Sequence, residues 1–203
     1  MLPEISTALP LLGLTAVAAY MLGSVPFGIV MARMFGLGDL RQVGSGNIGA
    51  TNVLRTGNKL AALLTLLGDA GKGGAAVLLA RAALGEDAAQ LAGFAAFLGH
   101  CFPVFLGFKG GKGVATFLGT LLALSFPIGL AACATWAVIA AVFRISSLAA
   151  LVAAALSPMA ATLLGAPQAM ALCVALAFLI GLRHHENINR LLKGSEPRIG
   201  KKG

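Results

Sequence analysis

Charged residues are scarce in this sequence. Asp, Glu, Lys and Arg together make up 11% of the 203 residues, whereas hydrophobic residues make up 58% and the mean hydropathy is +0.90. A water-soluble domain of this length cannot bury so large an apolar fraction. The composition therefore excludes a soluble protein and indicates an integral membrane protein, which we expect to form a single domain over residues 1–203.

Cysteine is rare as well, and its three copies show no pairing pattern. Cys101, Cys133 and Cys173 lie within apolar runs without C-x-x-C spacing, which argues against a disulfide framework and is typical of small core residues. The three histidines have no cluster of cysteines or carboxylates around them, so we expect no metal site. No Lys or Arg precedes the first apolar run, and we therefore expect that run to be a retained span and not a cleaved signal peptide.

Continuous apolar runs predict an all-α bundle, because a membrane barrel would alternate apolar and polar residues over ten-residue stretches. A helix needs about 20 residues to cross about 30 Å of hydrocarbon, so the shorter runs leave the number of spans open. Residues 114–143 in particular can form one long helix kinked at Pro127 or a hairpin of two short helices. The runs lie at residues 9–34, 60–80, 91–106, 114–124, 128–143, 147–164 and 169–182.

The distribution of basic residues favours the hairpin. Lys and Arg in short loops near span ends stay on the cytoplasmic side. With seven spans and an outside N-terminus, 13 of the 15 basic residues fall on that side, with Arg81 outside and Lys72 within a span. We therefore predict seven transmembrane helices, a periplasmic N-terminus and a cytoplasmic C-terminus. The 13 are Arg33, Arg41, Arg55, Lys59, Lys109, Lys112, Arg144, Arg183, Arg190, Lys193, Arg198, Lys201 and Lys202.

The same arrangement places four polar, glycine-rich stretches on the cytoplasmic face. The outer connections, near residues 84–90, 125–127 and 165–168, are short and carry few polar groups. We therefore expect the protein to act from the cytoplasmic side. The four stretches are residues 38–59, 107–113, 143–147 and 183–203.

The first stretch contains GSGN at residues 44–47, a pattern suited to binding an anion. Gly44 and Gly46 can adopt left-handed backbone angles, so that consecutive N–H groups point into one concavity. Ser45 and Asn47 add further donors. If the ATNVLR that follows forms a helix, its N-terminus adds partial positive charge, and Arg55 offers a planar fork for phosphate oxygens.

The second stretch, GFKGGKG at residues 107–113, repeats this logic with lysines before a helix that we expect to start at Val114. It is not a Walker loop, because Leu106 and Gly113 stand where that loop needs Gly and Ser or Thr. The GK at residues 71–72 fails the same test. Two anion sites on one face indicate a ligand with two acidic groups or two phosphorylated substrates.

Asp69 and Lys72 lie three residues apart within a predicted span. Unpaired charges in the bilayer interior are costly, so the two side chains must face protein or water, and we expect a structural ion pair that supports the site. His100, just before Pro103, is predicted to be an interior histidine that makes hydrogen bonds.

His184 and Asn187 share one helical face if the last span continues beyond Arg183. His184 is then a candidate for proton transfer or orientation, and Asn187 can donate to an oxyanion. An apolar stripe is predicted to rest on the membrane surface, and three cations are expected to meet lipid headgroups. The stripe is Ile188, Leu191 and Leu192, and the cations are Arg198, Lys201 and Lys202.

Three stretches resemble the cytoplasmic motifs of the acyl-phosphate-dependent glycerol-3-phosphate acyltransferases of bacteria, the PlsY family. They are GSGNIGATNVLR (44–55), GHCFPVFLGFKGGKGVAT (99–116) and RHHEN with its trailing NINRLLKG (183–194). GSVPFG (23–28), GDAGKG (68–73) and FRISSLA (143–149) resemble further landmarks of that family. The resemblance therefore covers nearly the whole chain.

The resemblance implies a seven-helix enzyme of bacterial phospholipid biosynthesis in the inner membrane, with its active site facing the cytoplasm. Such an enzyme transfers a fatty acyl group from acyl phosphate to the 1-hydroxyl of sn-glycerol 3-phosphate, giving lysophosphatidic acid and phosphate. The implied partners are membrane lipid and a soluble enzyme that produces acyl phosphate. No cofactor, metal or nucleic acid is implied.

The family motifs also assign roles to residues of this sequence. The sequence leaves open whether His184 or a phosphate oxygen of the donor acts as the general base. The implied catalytic residues are Ser45, Arg55, Lys112, His184 and Asn187. The resemblance adds Ser147 as a phosphate-binding residue. Together with the reasoning from the residues above, we expect substrate binding by Gly44, Gly46, Asn47, Thr51, Asn52, Gly110, Gly111, Gly113 and Ser147, with Asp69 and Lys72 in support.

Two other classes of function remain at this point. A transporter of phosphate or organic anions would show inverted repeats with binding residues near the midplane, and we find no internal repeat. A scaffold for lipid-synthesis partners would not need the two glycine loops. Acyltransferases with an HxxxxD pair are excluded, because the positions five after each histidine hold Phe105, Asn189 and Arg190. By analogy with the family that the sequence resembles, a thioester donor such as acyl-CoA is disfavoured.

Overall fold

The computed structural model describes residues 3–200, and that range is helical without any β-strand. Lys201 and Lys202, which the sequence assigns to lipid headgroups, lie outside the described residues. Short 3₁₀ turns at Leu40–Gln42, Val104–Leu106 and Pro167–Ala169 lie between helices. The helices are α1 Leu9–Gly23, α2 Phe27–Met34, α3 Ala50–Leu54, α4 Lys59–Leu84, α5 Glu86–Cys101, α6 Val114–Leu124, α7 Phe126–Phe143, α8 Ser146–Leu163, α9 Met170–Arg183 and α10 His185–Leu192.

Within residues 3–200, five helical segments are long and apolar enough to cross a membrane. Helices α9 and α10 pass the same test only as a pair bent by 66°, and α6 has eleven residues, a length of about 16 Å. The helix lengths therefore support five crossings or six, and the seventh stays a prediction. The five segments are Leu9–Met34, Lys59–Leu84, Glu86–Leu106, Phe126–Phe143 and Ser146–Leu163.

Residues 114–143 form the hairpin that the charge distribution favours. Helix α6 ends at Leu124, and α7 begins at Phe126 with Pro127 in its first turn, where a missing N–H leaves no hydrogen bond unmade. A Cβ atom on Gly129 would lie 2.3 Å from the Cα atom of Leu122. Two residues seven positions apart in one helix are about 10 Å apart along its axis, so the chain must reverse here.

Helix α6 runs beside α4 in the same direction. The Thr116 hydroxyl donates to the carbonyl of Asp69 at 2.9 Å, and Arg81 donates to the carbonyls of Ala123 and Leu124 at 2.7 and 2.8 Å. The start of α6 therefore lies beside Asp69, about 15 Å along α4 from its first residue. Because the loop before α6 enters the bundle to that depth, a short helix is enough to reach the far end of α4.

Small residues allow the helices to pack closely, as is usual where lipid surrounds them. At the α1–α5 contact, a Cβ atom on Gly23 would lie 2.1 Å from the carbonyl oxygen of Ala96. The larger buried side chains gather between α5 and α9, whereas the outward faces carry exposed apolar side chains. The buried set includes Phe97, Phe117, Leu121, Ile128, Leu176 and Ile180, and the exposed set includes Leu14, Leu79, Phe126 and Phe178.

The two ends of the described chain lie at opposite ends of the bundle. The carboxylate of Asp87, at the turn between α4 and α5, accepts from the backbone N–H groups of Ser6 and Thr7 at 3.0 and 2.8 Å. At the other end, the backbone N–H of Ile199 donates to the carbonyl of Arg144 at 2.6 Å, at the turn between α7 and α8. The residues after α10 are thereby fixed against that turn.

Candidate active site

A cavity of about 500 Å³ opens among α3, α4, α6, α7, α8 and the junction of α9 with α10. All five residues that the sequence predicts to be catalytic line this one cavity. Their side chains come from three separate stretches of the chain, which the fold brings together. They are Ser45, Arg55, Lys112, His184 and Asn187.

The loop at residues 44–47 has the predicted backbone but not the predicted free amides. Gly44 and Gly46 have φ angles of 50° and 67°, in the left-handed region. However, the N–H of Ser45 donates to the Asn52 Oδ1 atom at 3.1 Å, and the N–H of Gly46 donates to the carbonyl of Val43 at 2.9 Å. The expectation that these two amides stay open for an anion is therefore wrong.

Asn52 connects the two functional side chains of this loop. Its Oδ1 atom accepts from the Ser45 hydroxyl and from the Arg55 Nη1 atom, both at 3.3 Å, while its Nδ2 atom donates to the Leu40 carbonyl at 2.9 Å. Asn52 is buried and lies within α3, which confirms the prediction of a helix after the loop. The contacts make Asn52 an orienting residue for Ser45 and Arg55.

The loop at residues 107–113 also uses its glycine amides internally. The N–H groups of Gly110 and Gly111 donate to the carbonyls of Cys101 and His100 at 3.2 and 3.1 Å. The guanidinium of Arg183 donates to the carbonyls of both glycines at 3.1 Å. The predicted anion cradle at Gly110 and Gly111 is therefore wrong, because these contacts fix the loop to α5 and α9 instead.

Lys112 extends from this fixed loop into the cavity, and α6 begins at Val114 as expected. The Lys112 ammonium donates to the Asn187 Oδ1 atom. The Asn187 Nδ2 atom donates in turn to the Glu196 carboxylate, which also accepts from the Ser147 hydroxyl at 2.6 Å and from Arg190 Nε at 2.7 Å. One polar chain therefore links the loop, α8, α10 and the residues after α10.

Burial lowers the pKa of Lys112 below its ordinary value, and the neighbouring charge of Arg190 lowers that pKa further. The Glu196 carboxylate opposes both effects. Burial alone would raise the pKa of Glu196, but the hydrogen bonds from Ser147, Asn187 and Arg190 outweigh burial and hold this pKa below its usual range. Glu196 is therefore an anion across the neutral pH range.

The sequence analysis considered a last span that continues beyond Arg183. In the structure the span does not continue straight past this residue. The helix breaks at His184, and α10 starts at His185 with the 66° bend. Arg183 is held by the 107–113 loop and Asn187 by Lys112 and Glu196, so contacts on both sides of the break impose it. His184 and Asn187 are both buried and still line the same cavity.

The ring of His184 has a defined orientation. Its Nδ1 atom lies 2.8 Å from the carbonyl oxygen of Ile180. Because a carbonyl oxygen only accepts, Nδ1 carries the hydrogen, and in the neutral ring the Nε2 atom keeps its lone pair. The available nitrogen of His184 is therefore a proton acceptor.

The predicted ion pair between Asp69 and Lys72 is confirmed, with 2.8 Å between the Asp69 Oδ1 and Lys72 Nζ atoms, and both side chains are buried. Lys72 also donates to the Val25 carbonyl at 2.8 Å, in the break between α1 and α2. His100 is interior, as expected, but its Nδ1 atom, 3.4 Å from Asp69 Oδ1, does not make the predicted hydrogen bond within the described structure. Asp69 and His100 line the deep end of the cavity, whereas Lys72 does not.

The remaining predicted residues divide between the cavity and its surroundings. Gly46 and Gly110 line a second, smaller cavity of about 290 Å³ together with Arg41, Lys109 and Arg183. The predicted residues that line the main cavity are Asn47, Thr51, Asn52, Gly113 and Ser147, and those that do not are Gly44, Gly46, Gly110, Gly111 and Lys72. Among the described residues, no group of three His, Cys, Asp or Glu side chains is arranged to hold a metal ion.

Sequence reasoning missed three residues at the site: Arg183, Arg190 and Glu196. Arg183 and Arg190 were counted only as topology-setting cations. Glu196 is the single carboxylate among five cations in residues 190–203, and that isolation is the one feature that could have singled it out.

An apolar wall faces the polar end of the cavity. It is formed by side chains of α4, α6 and α7. The wall consists of Ala62, Leu63, Leu66, Leu118, Cys133 and Trp136. The cavity thus joins a cationic pocket to an apolar surface.

Comparison with known proteins identifies the family. The sequence profile named glycerol-3-phosphate acyltransferase matches residues 13–194. A protein of that name from Jannaschia sp. (strain CCS1) is 79% identical over 201 residues, with 99% of each chain covered. Another from Cereibacter sphaeroides (strain ATCC 17025 / ATH 2.4.3) is 66% identical over 201 residues, covering 99% of this chain and 96% of the relative.

Two solved structures have the same fold. One is PlsY, described as an integral membrane glycerol 3-phosphate acyltransferase in its glycerol 3-phosphate form, with a TM-score of 0.88 and 42% identity over 93% of this chain and 96% of that chain. The other is the lysophosphatidic acid form, with a TM-score of 0.85, 38% identity and coverage of 93% and 95%. The apolar helices and this likeness make the protein a multi-pass membrane protein. The chain belongs to the glycerol-3-phosphate acyltransferase family.

Proposed function

We propose that this protein transfers a fatty acyl group from acyl phosphate to the 1-hydroxyl of sn-glycerol 3-phosphate, releasing lysophosphatidic acid and inorganic phosphate. One observation carries the proposal. Ser45, Arg55, Lys112, His184 and Asn187 converge on a single cavity that also has an apolar wall. Such a cavity suits two phosphate-bearing reactants, one of which carries a fatty chain.

The acceptor and the product are supported by the relatives. The solved PlsY structures are a glycerol 3-phosphate form and a lysophosphatidic acid form. In the present cavity, Arg55 has only its Nη1 atom engaged by Asn52, which leaves further guanidinium donors for a phosphate. Lys112 adds a point charge from the loop at residues 107–113.

The acyl phosphate donor is supported by the chemistry of the cavity. An acyl phosphate is a mixed anhydride with a good leaving group, so its carbonyl can be attacked directly, without a nucleophilic residue or a covalent enzyme intermediate. Arg55 and Lys112 would neutralise the phosphates, and the apolar wall that includes Leu63, Leu118 and Trp136 would hold the acyl chain. Because acyl phosphate is reactive, we expect a soluble enzyme to supply it.

In this mechanism the 1-hydroxyl of glycerol 3-phosphate attacks the acyl carbonyl, the tetrahedral intermediate collapses, and the carbon–oxygen bond to phosphate breaks. One Nδ2 hydrogen of Asn187 is bound by Glu196, and the second remains to stabilise the oxyanion. The hydroxyl proton passes to His184 Nε2 or to a phosphate oxygen of the donor. The orientation of the His184 ring supports Nε2 as one acceptor, and the donor phosphate is the alternative.

We also propose seven crossings of a bacterial inner membrane, with the site on the cytoplasmic side. Residues 6–7 and residues 195–200 lie at opposite ends of the bundle, which supports an odd number of crossings. Helix α6 starts beside Asp69, inside the bundle, and ends beside Arg81, near the end of α4. Both positions support counting α6 as a crossing. The concentration of basic residues at the cavity end supports the cytoplasmic assignment.

The test is an assay of the purified protein with glycerol 3-phosphate and either palmitoyl phosphate or palmitoyl-CoA, with lysophosphatidic acid measured by mass spectrometry. We expect product from palmitoyl phosphate alone, and its loss by roughly 10²-fold or more in Lys112→Ala, which lacks the central cation. Product from palmitoyl-CoA alone would refute acyl phosphate as the donor. If folded protein formed no product from either donor, the proposed acyltransferase activity would be refuted.

A further inference from the structure

Within the described part of the chain, Glu196 is the one carboxylate that lines the cationic end of the cavity. It follows α10, outside any helix, yet only 7% of its side chain is exposed. Its two oxygens accept from Ser147, Asn187 and Arg190, which belong to α8 and α10. A buried carboxylate with three donors from two helices is a built feature of the site, although it follows the last helix.

The contacts of Glu196 determine which way the Asn187 amide points. A carboxylate can only accept hydrogen bonds, so the Nδ2 side of Asn187 must face Glu196. An ammonium group can only donate, so Lys112 must meet the Oδ1 side. If the amide were reversed, its Oδ1 atom would face the Glu196 carboxylate and its Nδ2 atom would face the Lys112 ammonium, and neither contact would be a hydrogen bond. Glu196 therefore fixes the amide, and the amide fixes the position of the Lys112 ammonium.

Glu196 also balances charge before any substrate binds. The charges that act on Lys112 are those of Arg183 and Arg190, and of Glu186 and Glu196; of the two anions, Glu196 is the one connected to Lys112 through the Asn187 amide. A phosphate that enters the cavity would take over this balancing role. The ionisable groups that face Lys112 or line the cavity with it are Arg183, His184, Glu186 and Arg190 from α9 and α10, Arg55 after α3, Lys59 and Asp69 from α4, His100 from α5, and Glu196.

We infer that Glu196 is a positioning residue of this site: it orients Asn187, aims Lys112 into the cavity and serves as the internal counter-ion of Lys112 until the substrate phosphate arrives. The inference rests on the proposed function, because its main readout is acyl transfer. It assigns Glu196 no contact with the substrate.

The test uses the full-length protein with Glu196→Gln, which removes the charge, and Glu196→Asp, which keeps the charge but shortens the side chain. Glu186→Gln is the matched control, since it makes the same charge change 3.9 Å from Arg190 on a side chain that is 67% exposed and does not contact Asn187. We expect Glu196→Gln to lower kcat/KM by roughly 10- to 100-fold and the control to stay within about twofold.

The pH profile distinguishes positioning from support of the fold. The kcat/KM profile reports ionisations of the free protein, and the kcat profile reports those of the substrate complex. In Glu196→Gln, we expect the alkaline limb of kcat/KM to move to lower pH, because Lys112 loses its counter-ion. The limb of kcat should move less, since substrate phosphate then supplies the charge. Equal movement of both limbs, or of neither, would overturn the counter-ion role.

A double-mutant cycle tests the path through Asn187. If Glu196 acts through that amide, Glu196→Gln should add little to the loss caused by Asn187→Ala, whereas independent effects would multiply. Multiplied losses would overturn the orienting role. Thermal unfolding should change little, because Ile199 still pairs with Arg144.

Glu196→Asp decides the outcome if the Gln variant fails to fold, and wild-type kcat/KM in Glu196→Asp would overturn the inference. A wild-type protein that forms no product would instead refute the proposed function. In that case the inference is judged by binding of glycerol 3-phosphate to wild type and Glu196→Asp, and equal affinity of the two would overturn it.

Discussion

Replacing Gly111 by alanine should displace Lys112 without touching any charged group. A Cβ atom at Gly111 would lie 2.2 Å from the Nε2 atom of His100 and 3.1 Å from its two neighbouring ring carbons. Ordinary contact begins near 3.4 Å, so the two must separate by about 1.2 Å. His100 is buried beside Asp69 and has little room to move, and the 107–113 loop must therefore shift.

The expected loss of activity follows from that displacement. Lys112 is the next residue along the chain, and a misplacement of about 1 Å at a reacting centre costs roughly 10²-fold, or about 2.7 kcal/mol of transition-state stabilisation. The assay is kcat/KM for glycerol 3-phosphate with palmitoyl phosphate, on protein whose thermal unfolding has been measured in the same detergent.

Gly181→Ala is the matched control, since among residues 3–200 no atom outside its chain neighbours and its own helix backbone lies within 4 Å of the added methyl group, and the residue sits in the last turn of α9. Alanine there should leave activity unchanged and stabilise the helix by up to about 1 kcal/mol. If folded Gly111→Ala kept kcat/KM within twofold of wild type, the claim that the close contact with His100 positions Lys112 would be refuted.

Two further predictions concern proton transfer and pH. His184→Ala should lower kcat by roughly 10²- to 10⁴-fold if Nε2 takes the hydroxyl proton, and near-normal kcat would assign that proton to the donor phosphate. For Lys112 the active form is the cation, and its pKa in the folded protein lies below 10.5, so kcat/KM should fall as pH rises through that lowered value. The same shift means that keeping Lys112 charged costs stability at neutral pH, and this cost is relieved as pH rises from the lowered pKa to 10.5. A profile that stays flat up to the pKa of an ordinary lysine would contradict the burial of Lys112.

Much of the fold could be predicted because it depends on properties of short segments or of the whole chain, and not on contacts between particular distant residues. Apolar runs, the distribution of basic residues and the left-handed positions of Gly44 and Gly46 are properties of short segments or of the whole chain. They were enough to predict the helices, the hairpin at residues 114–143 and the meeting of three motifs at one face.

The interior of the site could not be predicted in the same way. Whether an amide such as that of Gly111 is free depends on a carbonyl eleven residues earlier in the chain, at His100. The break at His184 is imposed by contacts with other segments. The bend itself contains no proline or glycine that would have predicted it. The hydrogen bonds of Glu196 with Ser147 and Asn187 exist only because the fold brings these residues together. Such features arise from packing between distant segments, which sequence spacing does not encode.

The depth at which α6 begins has a consequence for how the two reactants travel. Under the proposed function, the water-soluble reactant would have to enter the cavity toward Asp69, while a fatty chain on the apolar wall could stay within the membrane. Ester formation would then occur below the headgroup plane, and the product could leave sideways into the leaflet without crossing water.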